Sequence, residues 1–185
     1  MGRDYYYFVA SLPSIFFEKK PSLSLEDFLK DAERLLEDND YRLVREMIQG
    51  NEGNIPPSNA VSKKWFFFNR DLRNELAYIR AKNANKDPQQ YIRGEWPGPG
   101  RFTDLAQNVL KAPDPLTGEK ILDHARWQDL EDLGMGHFFD LEAVVIYGLK
   151  LKILERYQLI SSSRGEEVFQ EYQKVKLPEH TFVSS

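Results

Sequence analysis

Residues 140–160 read DLEAVVIYGLKLKILERYQLI, in which apolar residues recur at helical spacing. Asp140 is placed to cap this helix, because a carboxylate there accepts hydrogen bonds from the N–H groups of the first turn. Steps of three and four put one apolar set on a single face: Val144, Tyr147, Leu151 and Leu154. A second apolar set points in other directions: Leu141, Val145, Ile146, Leu149 and Ile153. The pattern therefore predicts a central helix that is packed from several sides.

Helix-start and helix-end signals define the other helices. Ser24 and Thr103 are predicted N-caps, and Asp87 and Asp114 are caps followed directly by proline. Gly50 is placed to end a helix in the left-handed conformation. The predicted helices span residues 24–36, 41–49, 59–83, 88–93, 103–111, 115–133 and 141–160, with residues 38–40 as a break and a last amphipathic helix between residues 163 and 178. The apolar–aromatic run at 5–13 is too short to separate a strand from a helix, and its low content of β-branched residues favours a helix. The inner face of the helix at 24–36 is predicted to carry Leu25, Phe28, Leu29, Ala32, Leu35 and Leu36.

The periodicity of the whole chain indicates its fold class. Every strong apolar pattern has the spacing of an α-helix, and none alternates with the period of two that a strand requires. The sequence predicts an all-α multi-helix bundle in a single domain, 1–185, which is long enough to bury a core. The Gly/Pro-rich segment 94–100 is the best internal boundary, and it can divide the domain into lobes 1–93 and 101–177.

Composition excludes several classes of protein. The formal net charge of −4 gives no reason to expect general nucleic-acid binding, which usually needs a basic face. The sequence has no cysteine, which removes disulfides, thiolate zinc sites and cysteine nucleophiles. It has neither an apolar run long enough to span a bilayer nor a signal-peptide pattern at its start. These features predict a cytoplasmic protein without membrane insertion.

The histidines offer little sign of catalysis or metal binding. His124 has no partner at the helical spacing that metal chelation needs. His137 follows a glycine turn, where a helix-capping or core-edge role is expected, and His180 falls in a C-terminal tail. Paired carboxylates at 26–27, 37–38, 131–132 and 166–167 lie on polar faces or at helix ends. We predict no catalytic, cofactor-binding or metal-binding residue, with a small helical enzyme using a carboxylate or histidine site as the alternative.

Charge is distributed unevenly along the chain. Residues 62–93 contain eight basic and three acidic residues, whereas residues 114–142 contain eight acidic and two basic ones. One interpretation is a nucleic-acid groove with Trp65, Phe66 and Phe67 as stacking platforms. The favoured interpretation places these aromatic residues in the core, with the opposite charges paired or facing solvent. A third is a surface for docking another protein, because complementary charge commonly orients assembly.

Three stretches resemble a bacterial family of unassigned function, whose members are typically encoded within V/A-type ATPase operons of Bacteroidetes, spirochaetes and chlamydiae. They are YYYFVASLP at 5–13, DLRNELAYIRAK at 71–82 with DPQQY at 87–91, and RW at 126–127 leading into FDLEA at 139–143 and LER at 154–156. The late helix is also similar to the C (or d) subunit of V/A-type ATPases, through Asp140, Tyr147, Lys150, Glu155 and Ile160. That subunit is an all-helical funnel that couples the rotating central stalk to the membrane ring.

The resemblance implies a non-catalytic accessory or stalk-like subunit that docks to subunits of a bacterial V/A-type ATPase. It implies no cofactor and no catalytic residue, and a location in the cytoplasm or peripherally at the inner membrane through the ATPase. Charge and helical spacing, not the resemblance, select the candidate docking residues Arg73, Arg80, Lys82 and Arg93. Arg73 and Arg80 are seven residues apart and therefore share a helical face.

Overall fold

A computed structural model describes residues 5–50 and 59–160 of the chain. Within these ranges the regular structure is entirely helical, so the predicted all-α fold is confirmed. In chain order the elements are α1 (Tyr6–Ser11), α2 (Leu25–Leu35), α3 (Asp38–Gln49), α4 (Ala60–Asn83), a 3-10 helix (Pro88–Tyr91), α5 (Thr103–Leu110), α6 (Pro115–Leu133) and α7 (Leu141–Ile160). The predicted last helix, the tail and His180 lie outside the described residues.

Helix α7 is the centre of the molecule, as its sequence pattern predicts. Helices α2, α3, α4 and α6 all pack against it. Its side chains are buried in several directions, and four of them have no exposed surface: Val144, Val145, Leu151 and Leu154. A Cβ atom at Gly148 would lie 2.6 Å from Cδ1 of Ile48 and 2.8 Å from Cε1 of Phe28. Glycine at this position therefore lets α2 and α3 approach α7 closely.

Side-chain caps fix where several helices begin. Ser24 Oγ accepts a hydrogen bond from the N–H of the third helical residue of α2 at 3.0 Å. Asp114 and Asp140 cap α6 and α7 in the same way, with bonds of 2.8 and 3.0 Å. Gly50 follows α3 in the left-handed region, with φ of 77°. These four predictions are confirmed.

Other details of the predicted helices are wrong. Residues 38–40 form the first turn of α3 and not a break, because Glu37 is its N-cap residue. Thr103 is the first residue of α5 and not its cap, since its hydroxyl donates instead to Glu75 Oε1 at 2.6 Å. Leu35 is 46% exposed, whereas its neighbour Leu36 is buried. The segment after Asp87 forms a single 3-10 turn that ends two residues before the predicted end at 93.

Helix α4 anchors the Gly/Pro-rich segment 94–100 at both of its ends. The side chain of Asn74 both accepts from and donates to the backbone of Arg93, at 3.0 Å in each case. The carboxylate of Glu75 accepts from the N–H of Gly100 at 3.2 Å. Helix α4 also packs on α5, α6 and α7. The division into lobes 1–93 and 101–177 stays a prediction.

None of the helices in the described ranges combines the length and the apolar character needed to cross a membrane.

Candidate functional site

The four predicted docking residues are all exposed, but the structure does not gather them into one place. Arg73 and Arg93 line a concavity of about 440 Å³ beside α4, together with Arg70. Arg80 and Lys82 lie further along α4 and do not line this concavity. The structure therefore brings together half of the predicted set and adds Arg70, which belongs to the same basic segment.

Neighbouring side chains orient the basic residues of α4. The Arg70 guanidinium donates to Asp71 Oδ1 at 2.8 and 2.9 Å and lies 4.6 Å from the centroid of the Phe67 ring. The Lys82 ammonium lies 4.7 Å from the Tyr78 ring centroid. Trp65, in contrast, is buried and stacks on Phe68 with ring centroids 5.7 Å apart. It is therefore a core residue and not a platform on which a nucleic-acid base can stack.

A partly buried network of arginines and carboxylates joins α6 to α7. Asp123 is 1% exposed and accepts from Arg126 Nη1 at 2.8 Å and from Arg156 Nε at 3.1 Å. Arg156 also forms an ion pair with Glu119. Arg126 Nε donates to Asn69 Oδ1 of α4 at 3.4 Å. One carboxylate thus holds two guanidinium groups in place between three helices.

A cavity of about 130 Å³ lies beside this network, between α3, α4, α6 and α7. Its polar lining consists of Asn69, Arg73, Asp123, Arg126, Lys152 and Arg156. Burial lowers the pKa of Arg126, and the charge of Arg156 adds to this effect, although Asp123 opposes both. Burial alone would lower the pKa of Arg156 too, but Asp123 and Glu119 raise it above its ordinary value. Burial thus determines the direction of the pKa shift of Arg126, whereas the two carboxylates determine that of Arg156.

Large apolar side chains are exposed where α1 meets the turn between α6 and α7. We define this apolar patch by five residues: Tyr6, Tyr7, Met135, Phe138 and Phe139. Tyr7 and Phe138 are 89% and 70% exposed. The Tyr6 ring lies 4.6 Å from the Phe139 ring and 5.7 Å from the Tyr7 ring. Phe138 lines one concavity together with Tyr6 and Phe139, and Met135 lines another together with Phe138. A backbone hydrogen bond from Tyr5 N–H to Phe139 O joins its two halves.

A groove of about 620 Å³ runs beside the apolar patch, and His137 lies in its lining. His137 Nδ1 lies 2.6 Å from Asp140 Oδ2. Together with Glu142 they form a group of three ligand-type side chains, with atoms within 4.8 Å of one another. However, Asp140 also caps α7, and Glu142 accepts from Asn59 Nδ2 at 3.2 Å. These hydrogen bonds explain the cluster as a helix terminus, at which Asp140 is the capping residue and His137 contacts its carboxylate.

His124 is exposed, and its ring makes an edge contact with Phe17 at a centroid distance of 5.3 Å. This contact gives it a packing role.

Sequence analysis missed the buried carboxylates. Asp123 appears in the sequence only as one member of an acidic segment, yet it lies four residues before Trp127 and seven before Leu130, on the buried face of α6. That helical spacing is the feature of the sequence that could have placed Asp123 on the buried face.

Asp129 Oδ2 is buried and has no hydrogen-bond partner among the described residues. Burial raises the pKa of Asp129 to about 6, although Arg101 at 3.3 Å opposes the shift.

The fold and the site together define an all-α protein in which an arginine–carboxylate network around the buried Asp123 joins α6 to α7. Residues 99–176 match a family described as "Protein of unknown function (DUF2764)". A domain of an uncharacterised family is therefore present in this part of the chain, which includes α5, α6 and α7. Asp123, Arg126 and Arg156 lie within the match, whereas the four predicted docking residues lie outside it. No curated protein and no solved structure matches the chain.

Proposed function

We propose that the chain is a non-catalytic accessory or stalk-like subunit of a bacterial V/A-type ATPase, and that it acts by docking to another ATPase subunit. The ATPase part of the proposal rests on the resemblance of the stretches at 5–13, 71–91 and 126–156. The docking part rests on the surface of the molecule. Through this contact the protein would be held peripherally at the inner membrane.

The apolar patch is the observation that carries the docking proposal. Monomeric proteins rarely expose contiguous apolar groups of this kind unless another molecule covers them. Tyrosine, phenylalanine and methionine are also the side chains that are enriched at protein interfaces. Three of the five patch residues are at least 70% exposed: Tyr7, Met135 and Phe138. A partner that covers the patch would remove this unfavourable apolar surface from water.

The charges around the apolar patch favour a protein over a lipid surface. Four carboxylates flank its turn residues: Glu131, Asp132, Asp140 and Glu142. Lys150 offsets only Glu131, at 2.6 Å. Anionic lipid headgroups attract basic segments, so an acidic rim would oppose binding to them. We therefore expect the partner to present apolar side chains surrounded by lysine or arginine.

The basic residues along α4 supply a second surface of opposite charge. Arg73 and Arg93 lie in one concavity, and Arg80 continues along the same helix. Complementary charge mainly accelerates association and fixes orientation, and it adds less to affinity. Substitution of these residues is expected to slow docking and to change its salt dependence. The apolar patch is expected to control dissociation.

A pull-down with the tagged full chain from gently solubilised membranes of the native cell tests the proposal. Wild type is expected to recover ATPase subunits, and the variant Tyr7→Ser/Phe138→Ser is expected to recover far less. Leu159→Ser is the matched control, because Leu159 is 71% exposed but lies at the other end of α7. Equal recovery by all three proteins would contradict docking through the patch. Failure of wild type to recover any ATPase subunit from an extract with intact ATPase would contradict the proposed function.

A small helical enzyme is a second candidate, because one observation favours it. His137 is hydrogen-bonded to a carboxylate and lines the 620 Å³ groove together with Ser14. A histidine oriented by a carboxylate is the usual arrangement of a general base. Labelling of the folded protein by a fluorophosphonate, abolished in His137→Asn, would support this candidate. An unlabelled wild type would count against it.

A further inference from the structure

We propose that the cavity between α3, α4, α6 and α7 binds a small oxyanion of the size of inorganic phosphate, with Arg126 as its main ligand. Arg156 and Lys152 line the same cavity and supply further positive charge. The inference rests on this cavity alone and does not depend on the proposed docking function.

The guanidinium of Arg126 has hydrogen-bond donors to spare. An arginine offers five N–H donors. Arg126 uses Nε for Asn69 and one N–H of Nη1 for Asp123. Its Nη2 group has no hydrogen-bond partner among the described residues, although its side chain is only 16% exposed. Nη2 is not among the fully buried side-chain atoms that lack a partner, so solvent reaches it and it is open to an anion.

The local balance of charge favours an anion over water. Asp123 is shared between two guanidinium groups, and Glu119 contacts only Arg156. The main cause of the lowered pKa of Arg126 is burial, and an anion bound in the cavity would stabilise this buried charge. An anion in the cavity would supply the missing negative charge. Asp123 balances only part of this positive charge, and its carboxylate competes with the anion for both guanidinium groups.

The size of the cavity restricts the ligand. A cavity must have a volume of roughly 10–15 Å³ to hold one buried water. A cavity of about 130 Å³ can therefore hold several waters or one tetrahedral oxyanion. Sites for larger ligands have volumes of about 300–1,000 Å³, which excludes a nucleotide. The planar guanidinium matches the oxygen spacing of phosphate, and it can donate two parallel hydrogen bonds to it. Arg73 lines both this cavity and the neighbouring concavity, which marks a path of entry.

Calorimetric titration of the full chain with inorganic phosphate, at constant ionic strength in chloride, tests the inference. We expect saturable binding at one site per chain, and a change in the fluorescence of Trp65, which lines the cavity. Arg126→Gln is expected to weaken binding about tenfold or more, because hydrogen bonds to charged groups are lost. Arg80→Gln removes the same charge from the surface of α4 outside the cavity and is expected to bind like wild type.

Two further variants keep the inference testable if Arg126→Gln fails to fold. Lys152→Gln is expected to weaken phosphate binding, because it removes a cation from the cavity lining. Asp123→Asn is expected to tighten binding, since it removes the carboxylate that competes for both guanidinium groups. The inference would be overturned by a wild type without saturable binding, or by equal losses in Arg80→Gln and the cavity variants. Weaker binding in a folded Asp123→Asn variant would also contradict the role given to Asp123.

Discussion

Gly148 shows how a single residue sets the distance between helices. It lies in the middle of α7, where glycine is otherwise unfavourable because of its backbone freedom. The close approach of Ile48 and Phe28 to its missing Cβ position explains why glycine is found there. Sequence alone shows a glycine in an apolar helix, but it cannot show which side chains cross that point. Packing of this kind depends on residues a hundred positions away in the chain.

Gly148→Ala is therefore expected to destabilise the protein. The added methyl group overlaps Ile48 and Phe28, and overpacking of this kind costs about 1–3 kcal/mol. Urea unfolding would measure the loss in the free energy of unfolding. Gly100→Ala is the matched control, because no atom lies within 4 Å of its Cβ position. A Gly148→Ala variant as stable as the control would contradict the close helix contact.

The raised pKa of Asp129 predicts how the free energy of unfolding depends on pH. Its pKa in the folded protein is about 6, above the ordinary value of 3.8, so the folded state binds this proton more tightly than the unfolded state does. The free energy of unfolding should therefore fall as the pH rises from about 4 to about 6. Asp129→Asn removes this titration. We expect the variant to gain stability over wild type between pH 4 and pH 7, by about 1 kcal/mol once solvent screening of this partly exposed group is included, and to converge with it near pH 4.

Denaturant unfolding of both proteins at several pH values would measure this difference. A constant difference between wild type and Asp129→Asn over the whole range would show that Asp129 does not titrate with a raised pKa.

At the scale of the elements, the sequence predicted most helices because their signals are local. Ser24, Asp114 and Asp140 cap helices within three residues of themselves, so a short window contains the whole interaction. Thr103 looks the same in the sequence, but its hydroxyl bonds to Glu75 on α4, 28 residues away. A local rule cannot identify that partner. The error at Thr103 thus comes from a tertiary contact that replaces a local one.

Asn74 of α4 is expected to hold in place the backbone at Arg93, just after the 3-10 helix. Asn74→Ala removes both hydrogen bonds to the backbone of Arg93, and each typically contributes about 0.5–1.5 kcal/mol to stability. Amide hydrogen exchange at Arg93 is expected to become faster. Asn83→Ala, at the exposed end of α4, should leave this amide unchanged. Unchanged protection of Arg93 in Asn74→Ala would show that another contact holds this segment.

At the scale of the whole molecule, the fold was easier to predict than the site. Helical periodicity is enough to place α7 at the centre, because an apolar helix must be covered from several sides. The arginine–carboxylate network was not predicted, since Asn69, Asp123 and Arg156 come from three helices that are distant in sequence. The apolar patch was also missed, because residues 6–7 and 135–139 meet only in the folded chain. His137 and Asp140, three residues apart, were within reach of sequence analysis.

The most direct test of the docking proposal is to purify the V/A-type ATPase of the native cell through a tag on one of its own catalytic subunits. Quantitative mass spectrometry would then measure the amount of this chain relative to the stalk and ring subunits. The proposal predicts that the chain is present at a fixed ratio close to that of a stalk subunit, and that Tyr7→Ser/Phe138→Ser lowers this ratio. An intact ATPase that is purified repeatedly without this chain would contradict the proposal.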